Sequence, residues 1–203
     1  MTPEFIRDAL NDIATRDTDL AEALQEYGYP APRIHEPGFA SLINIIIGQQ
    51  VSTHAAAAIR ERLETALSPL TPETFLNAED EALRAVGFSK RKVEYGKGLA
   101  VAIINGTLET ERLIALDDDE VTKTLTNIRG IGRWSADIYM LFALGRANAW
   151  PIDDLAIQVA VQKLKRMRKR PDRKRMEAIA KRWRPYRGVA ALFLWHYYKG
   201  APN

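Results

Sequence analysis

The sequence predicts an all-α protein, and three observations carry that prediction. Apolar residues recur at three- and four-residue spacing in almost every stretch of the 203 residues, and no segment alternates apolar and polar for long enough to need a sheet. The breaks between apolar stripes fall at glycine, proline and cap-forming residues. Phe5, Ile6, Leu10 and Ile13 form one stripe, and Leu20, Ala23 and Leu24 a second, giving two short helices before Tyr29. Tyr29-Pro30-Ala31-Pro32-Arg33 is then an extended connector, since each proline disfavours helix at the residue before it.

From Phe39 the residues Leu42, Ile43, Ile46 and Ile47 make a core face that stops at Gly48. Gly48-Gln49-Gln50-Val51-Ser52 follows as a helix break with two polar amides, and Ser52 is placed to cap a helix from Ala55 to Leu67. Thr71-Pro72-Glu73-Thr74 starts another helix, Glu79 to Val86 a further one, and Gly87-Phe88-Ser89-Lys90-Arg91-Lys92 caps a helix holding Tyr95, Leu99, Ala102 and Ile103. After the turn at Asn105-Gly106-Thr107, Asp117-Asp118-Asp119 caps a helix with Val121, Leu125 and Ile128.

Gly130 and Gly132 flank Ile131 next. Such a turn reverses the chain within a few residues and brings bare backbone close to a neighbour, with Ile131 plugged into the core. Trp134, Ile138, Leu141 and Phe142 then fall at helical spacing, so the turn ends at a helix N-terminus, where anions are favoured. On its own, helix, hairpin, helix is also a common structural connection. Pro151-Ile152-Asp153-Asp154 follows, and either aspartate can cap the next helix, which carries Leu155, Ile157, Val159, Ala160 and Leu164. This helix passes into the basic run and is broken by Pro171; the last helix starts near Pro185 and holds Val189, Leu192, Phe193, Trp195 and His196.

A hydrophobic content of 46% indicates a folded globule, and no apolar run approaches the length of a membrane span. The acidic N-terminal stretch lacks the features of a signal peptide, so a soluble, intracellular protein is expected, in the cytoplasm or nucleoid, or the nucleus if eukaryotic. The absence of cysteine excludes disulfides, cysteine-ligated zinc and a cysteine-ligated iron–sulfur cluster, and three scattered histidines make no metal site. The formal charge of +3 hides an asymmetry. Acids prevail up to Glu36, whereas Lys163 to Arg187 is rich in lysine and arginine, as suits either a solvated face or a polyanion partner.

The run from Leu125 to Leu155, with Asp154 twenty residues beyond Trp134, resembles the signature of the helix-hairpin-helix-Gly/Pro-Asp DNA glycosylases. Within that superfamily it is most similar to the 3-methyladenine DNA glycosylase II branch. Gly-Gln-x-x-Ser at Gly48, Gly-x-x-x-x-Lys at Gly87 and the segment Arg182 to Arg187 before the last helix extend the likeness over roughly residues 35–200.

The resemblance implies two helical lobes with the active-site cleft between them: residues 38–145 as a helical barrel ending in the hairpin, and residues 1–37 with 146–203 as the lobe carrying the catalytic aspartate and the basic segment. It implies Asp154 as the catalytic carboxylate; Trp134, Trp195 and Ile138 as the base pocket; Gln50 as the wedge that fills the space left by a flipped base; and Arg129, Gly130, Gly132 and Arg133 as phosphate contacts. Arg129 stands where relatives commonly have proline or lysine. Bifunctional relatives have a lysine at the position of Trp134, and tryptophan cannot form a Schiff base with the sugar.

The implied activity is monofunctional excision of alkylated purines, 3-methyladenine and possibly 7-methylguanine, from duplex DNA. No cofactor is expected, and the partner is double-stranded DNA containing damaged bases, bound by a monomer. Two rivals are a monofunctional glycosylase for uracil, hypoxanthine or ethenoadenine, and a non-catalytic helix-hairpin-helix DNA-binding protein.

Overall fold

A computed structural model describes residues 1–200, and among them the regular structure is helical, with no strand. In chain order the helices are α1 (Pro3–Ala14), α2 (Thr18–Tyr27), α3 (Phe39–Gly48), α4 (Thr53–Ala66), α5 (Pro72–Asn77), α6 (Asp80–Ala85), α7 (Lys90–Ile104), α8 (Asp118–Thr126), α9 (Arg133–Phe142), α10 (Leu155–Leu164), α11 (Arg173–Ala180) and α12 (Arg187–Gly200). The chain divides into two units, one made of Met1–Ile34 with the chain from Gly145 onward, the other of His35–Leu144.

The unit His35–Leu144 is built around α3, whose sequence is apolar on nearly every side and which packs on α4, α7 and α9. Leu42, Ile43, Ile46 and Ile47 of α3 are all fully buried. Burying side chains of this size contributes about 1.5–3 kcal/mol each before entropy is counted. Gly96 lets α7 approach closely: a Cβ there would lie 2.6 Å from the ring of Phe75 on α5. The caps explain where the helices begin. Ser52 accepts from the Ala55 N–H at 3.1 Å, Ser89 from Lys92, and reciprocal capping boxes start α5 (Thr71 with Thr74) and α8 (Asp117 with Glu120). A short 3₁₀ segment, Thr110–Ala115, lies between α7 and α8, where the sequence alone suggested a direct connection.

The other unit has α12 at its centre. Gly188 through Leu194 are buried as a continuous run, because α12 packs against α1, α2 and α10 at once. Asp17 caps α2 and is itself buried. Its carboxylate accepts from the Leu20 N–H at 3.1 Å, from Lys165 Nζ and, at 2.8 Å, from the indole Nε1–H of Trp183. Burial pushes this carboxyl up, but the hydrogen bonds from Lys165, Trp183 and Leu20 outweigh it and hold it below the usual aspartate range.

The same contacts correct the expectation that the helix after Asp154 runs into the basic segment as far as Pro171. The helix ends at Leu164, Lys165 turns its ammonium in to Asp17 and Asp19, and Arg166 takes a left-handed conformation at φ +49°. The basic run then forms its own helix, α11, capped by Asp172. The buried carboxylate of Asp17 and the partly exposed one of Asp19, not the proline, hold the end of α10.

Candidate active site

In the unit His35–Leu144 the expected hairpin is present between α8 and α9. Gly130 has φ +94°, and a Cβ at that position would lie 2.2 Å from Cγ of Tyr95, so both the turn and the neighbouring ring demand glycine. Ile131 is buried and its N–H donates to the Ile128 carbonyl at 3.0 Å, which closes the turn. Gly132 is the N-cap of α9 in extended conformation and supplies no side-chain cap. Amides at such a helix start face outward with the positive end of the helix dipole behind them, an arrangement that suits a phosphate oxygen.

A cavity of about 410 Å³ runs along this hairpin, lined among others by Gln50, Arg91, Lys92, Tyr95, Arg129 and Gly130. Its chemistry is polar and cationic. Lys92 is partly buried and donates to the carbonyl of Ile47 at 2.7 Å, placing a cation at the C-terminus of α3. Burial pushes its ammonium below the ordinary lysine range. Gln49 reaches across from the loop after α3: its Nε2 donates to the Gly130 carbonyl at 2.9 Å and to Ser135 Oγ at 3.0 Å. The next residue, Gln50, is exposed and held at φ +56°. The Gly-Gln-Gln break is therefore a loop braced on the hairpin.

The two arginines expected to touch phosphate have partners within the chain. Arg129 is exposed and ion-paired with Glu94 at 2.5 Å; Arg133 Nε donates to both carboxylate oxygens of the buried Asp137, at 2.9 and 3.1 Å. Asp137, itself 1% exposed, is thereby committed to the structure. On α9, Trp134 is half-buried and Ile138, one turn further on, is buried.

In the other unit Asp154 begins α10. Pro151 and Ile152 are buried and anchor the turn before it, in which the Asp154 N–H donates to the Pro151 carbonyl at 3.0 Å. The Oδ1 atom of Asp154 accepts two hydrogen bonds, from the Ile157 N–H at 3.0 Å and from the indole Nε1–H of Trp195 on α12 at 3.1 Å. Asp153, the other of the pair, is exposed and accepts from Arg173 at 2.7 and 2.8 Å. From sequence either aspartate can cap the next helix. Asp154 holds the cap position and meets Trp195, while Asp153 forms a surface ion pair.

Gln49, Lys92, Arg91 and Tyr95 line or brace the hairpin cavity without having been singled out as site residues. The Gly-Gln-x-x-Ser and Gly-x-x-x-x-Lys motifs contain Gln49 and Lys92, whereas Arg91 and Tyr95 carry no local signal of their place beside the hairpin. Of the basic run, Lys165, Arg166, Arg173 and Arg187 pair with Asp17 and Asp19, Glu22, Asp153 and Glu177 respectively. Arg168, Lys169, Arg170, Lys174, Arg175, Lys181, Arg182 and Arg184 are exposed.

Residues 43–185 match the HhH-GPD superfamily of base excision DNA repair proteins. The chain is 34% identical over 161 residues to DNA-3-methyladenine glycosylase 1 of Schizosaccharomyces pombe, covering 77% of this chain and 71% of that one. A Bacillus subtilis relative is 30% identical over 186 residues, 88% of this chain, and the match spans 65% of that protein's length, a little under two thirds. Among solved structures, a Schizosaccharomyces pombe 3-methyladenine DNA glycosylase in complex with abasic DNA superposes with a TM-score of 0.91 at 30% identity, over 96% of this chain and 98% of that one.

Proposed function

Because the chain belongs to the HhH-GPD superfamily of base excision DNA repair proteins, we propose that it is a monofunctional DNA glycosylase that removes alkylated purines, 3-methyladenine first among them, from duplex DNA. The observation that carries the reading is the carboxylate of Asp154, fixed at the start of α10 by two N–H donors to one oxygen. A carboxylate held in place can stabilise the oxocarbenium character of a sugar whose glycosidic bond is breaking, and can orient the water that adds to it. The N-glycosidic bond breaks, the purine leaves with the bonding electron pair, and water oxygen bonds to the anomeric carbon as its proton is released. An abasic site remains. An alkylated purine already carries positive charge, so it leaves without a dedicated acid and no cofactor is required.

The names of the relatives support the substrate class. Trp134 supports the monofunctional outcome, since indole has no amine to attack the sugar. The remaining roles are assigned with the same activity in view. Trp134, Ile138 and Trp195 receive the extruded base, and an aromatic face is worth ~0.5–2 kcal/mol against a cationic ring. Gln50 fills the vacated stack. The amides at Gly130 and Gly132, with Arg129 and Arg133, grip the backbone, the arginines exchanging a carboxylate partner for a phosphate. The protein acts as a monomer wherever the DNA lies, in the cytoplasm or nucleoid, or in the nucleus of a eukaryote.

The test is release of free base from methylated duplex DNA by the native chain and by Asp154→Asn, with binding measured for both. Asparagine also caps helices well, so the substitution removes charge and keeps the fold. Release by the native chain alone, with binding by both, is the expected result. Release of uracil but no methylated purine overturns the substrate; binding with no release of any base overturns the enzyme.

A further inference from the structure

Trp195 lies on the central helix of its unit, half-buried, and its indole N–H points at a carboxylate, not at a carbonyl or at solvent. The distance is 3.1 Å, and the acceptor is the same Oδ1 atom that the Ile157 N–H reaches at 3.0 Å. These donors come from different elements, the first turn of α10 and the side of α12, and α10 and α12 pack tightly together. Two donors on one oxygen fix the plane of a carboxylate in a way that a cap bond alone does not, because a single bond leaves rotation about Cβ–Cγ. The α12 side is rigid at this point: Leu192, Phe193 and Leu194, the three residues before Trp195, are buried.

We propose that Trp195 is a positioning residue for Asp154, acting through its indole N–H to set the rotation of the reacting carboxylate, and that this role is separable from any stacking of its ring against a base. The inference rests on the proposed hydrolytic role of Asp154. A carboxylate that must face a developing cation and a water at once depends steeply on orientation, and a misplacement of about 1 Å can cost on the order of a hundredfold in rate. The ring and the N–H of tryptophan thereby do different things, one available to a base and the other committed to the carboxylate.

Trp195→Phe separates them, since phenylalanine keeps an aromatic face and deletes the donor. Single-turnover release of 3-methyladenine is expected to slow about ten- to hundredfold in Trp195→Phe with the half-saturating DNA concentration changed less than about threefold. A structural readout runs beside it. The indole N–H resonance of Trp195, assigned through bonds in the isotopically labelled native chain, is expected to move upfield in Asp154→Ala while those of the other tryptophans stay in place.

A native rate in Trp195→Phe, or a change confined to half-saturation, overturns the positioning role and leaves stacking. An unmoved indole resonance overturns it as well, and that readout stands even if Trp195→Phe does not fold. Absence of base release by the native chain is a different failure: it removes the proposed activity, whereas the resonance shift still tests the hydrogen bond.

Discussion

At the scale of single residues the site is held by atoms that have no alternative. Gly130 is one: its φ of +94° disfavours any side chain, and a methyl group would meet Cβ and Cγ of Tyr95, the part of that side chain that cannot swing away. Gly130→Ala is expected to cost about 2 kcal/mol or more, seen as a lower thermal midpoint, with loss of DNA binding from whatever fraction folds. Arg166 is the opposite case. It takes φ +49° with its side chain exposed and one surface ion pair to Glu22, worth little. Arg166→Gly is therefore expected to stabilise the protein by roughly 0.5–1 kcal/mol in chemical denaturation, and a loss of stability would show that the Glu22 pair outweighs the backbone relief.

At the scale of elements, Gln49 joins the loop after α3 to the hairpin through Gly130 and Ser135. Gln49→Ala is expected to raise hydrogen exchange at Gln50 through Ser52 and at the hairpin together, at a stability cost of about 1 kcal/mol. Protection changing at one element and not the other would argue against the brace. Most of the elements themselves were legible in the sequence, because their caps and stripes are local. Ser52, Ser89 and Asp117 each start the helix that the residue type suggested. What was not legible depended on residues far apart in the chain. The end of α10 is set by Asp17, nearly 150 positions away, so no property of the basic run itself could reveal it. The Gly-Gln-x-x-Ser motif sets Gln49 apart from Gln50, but its partners, the Gly130 carbonyl and Ser135, lie more than eighty positions away and are invisible locally. The resemblance to a family located Asp154, Trp134 and the hairpin, but not the bond between Trp195 and Asp154, since a motif specifies which residues are present and not which atom each one reaches.

At the scale of the molecule, charge is divided between holding the chain together and meeting a partner. Asp17 belongs to the first use. Its carboxyl is held below the usual range by Lys165, Trp183 and Leu20 against the opposing effect of burial, so its stabilising contribution is fully present above the unfolded value near ~3.9 and is lost as pH falls through the lower folded value. Asp17→Asn is expected to lose roughly 3 kcal/mol at neutral pH, by leaving Lys165 with Asp19 alone, and to flatten the acid limb of a stability profile measured by urea unfolding. The exposed lysines and arginines from Arg168 to Arg184, Arg173 with its Asp153 pair apart, are the ones we assign to the second use. Binding to duplex DNA should weaken with salt at a logarithmic slope of about −0.9 per phosphate neutralised, and a flat response would remove these residues from the interface.

The brace between Gln49 and the hairpin bears on how such a molecule finds its target. With the proposed probe at Gln50 and the proposed backbone grip at Gly130 joined through the Gln49 hydrogen bonds, displacing one is expected to displace the other. On that proposal each encounter with an intact base pair also tests it, and the stiffness of one glutamine side chain sets how speed of scanning trades against sensitivity.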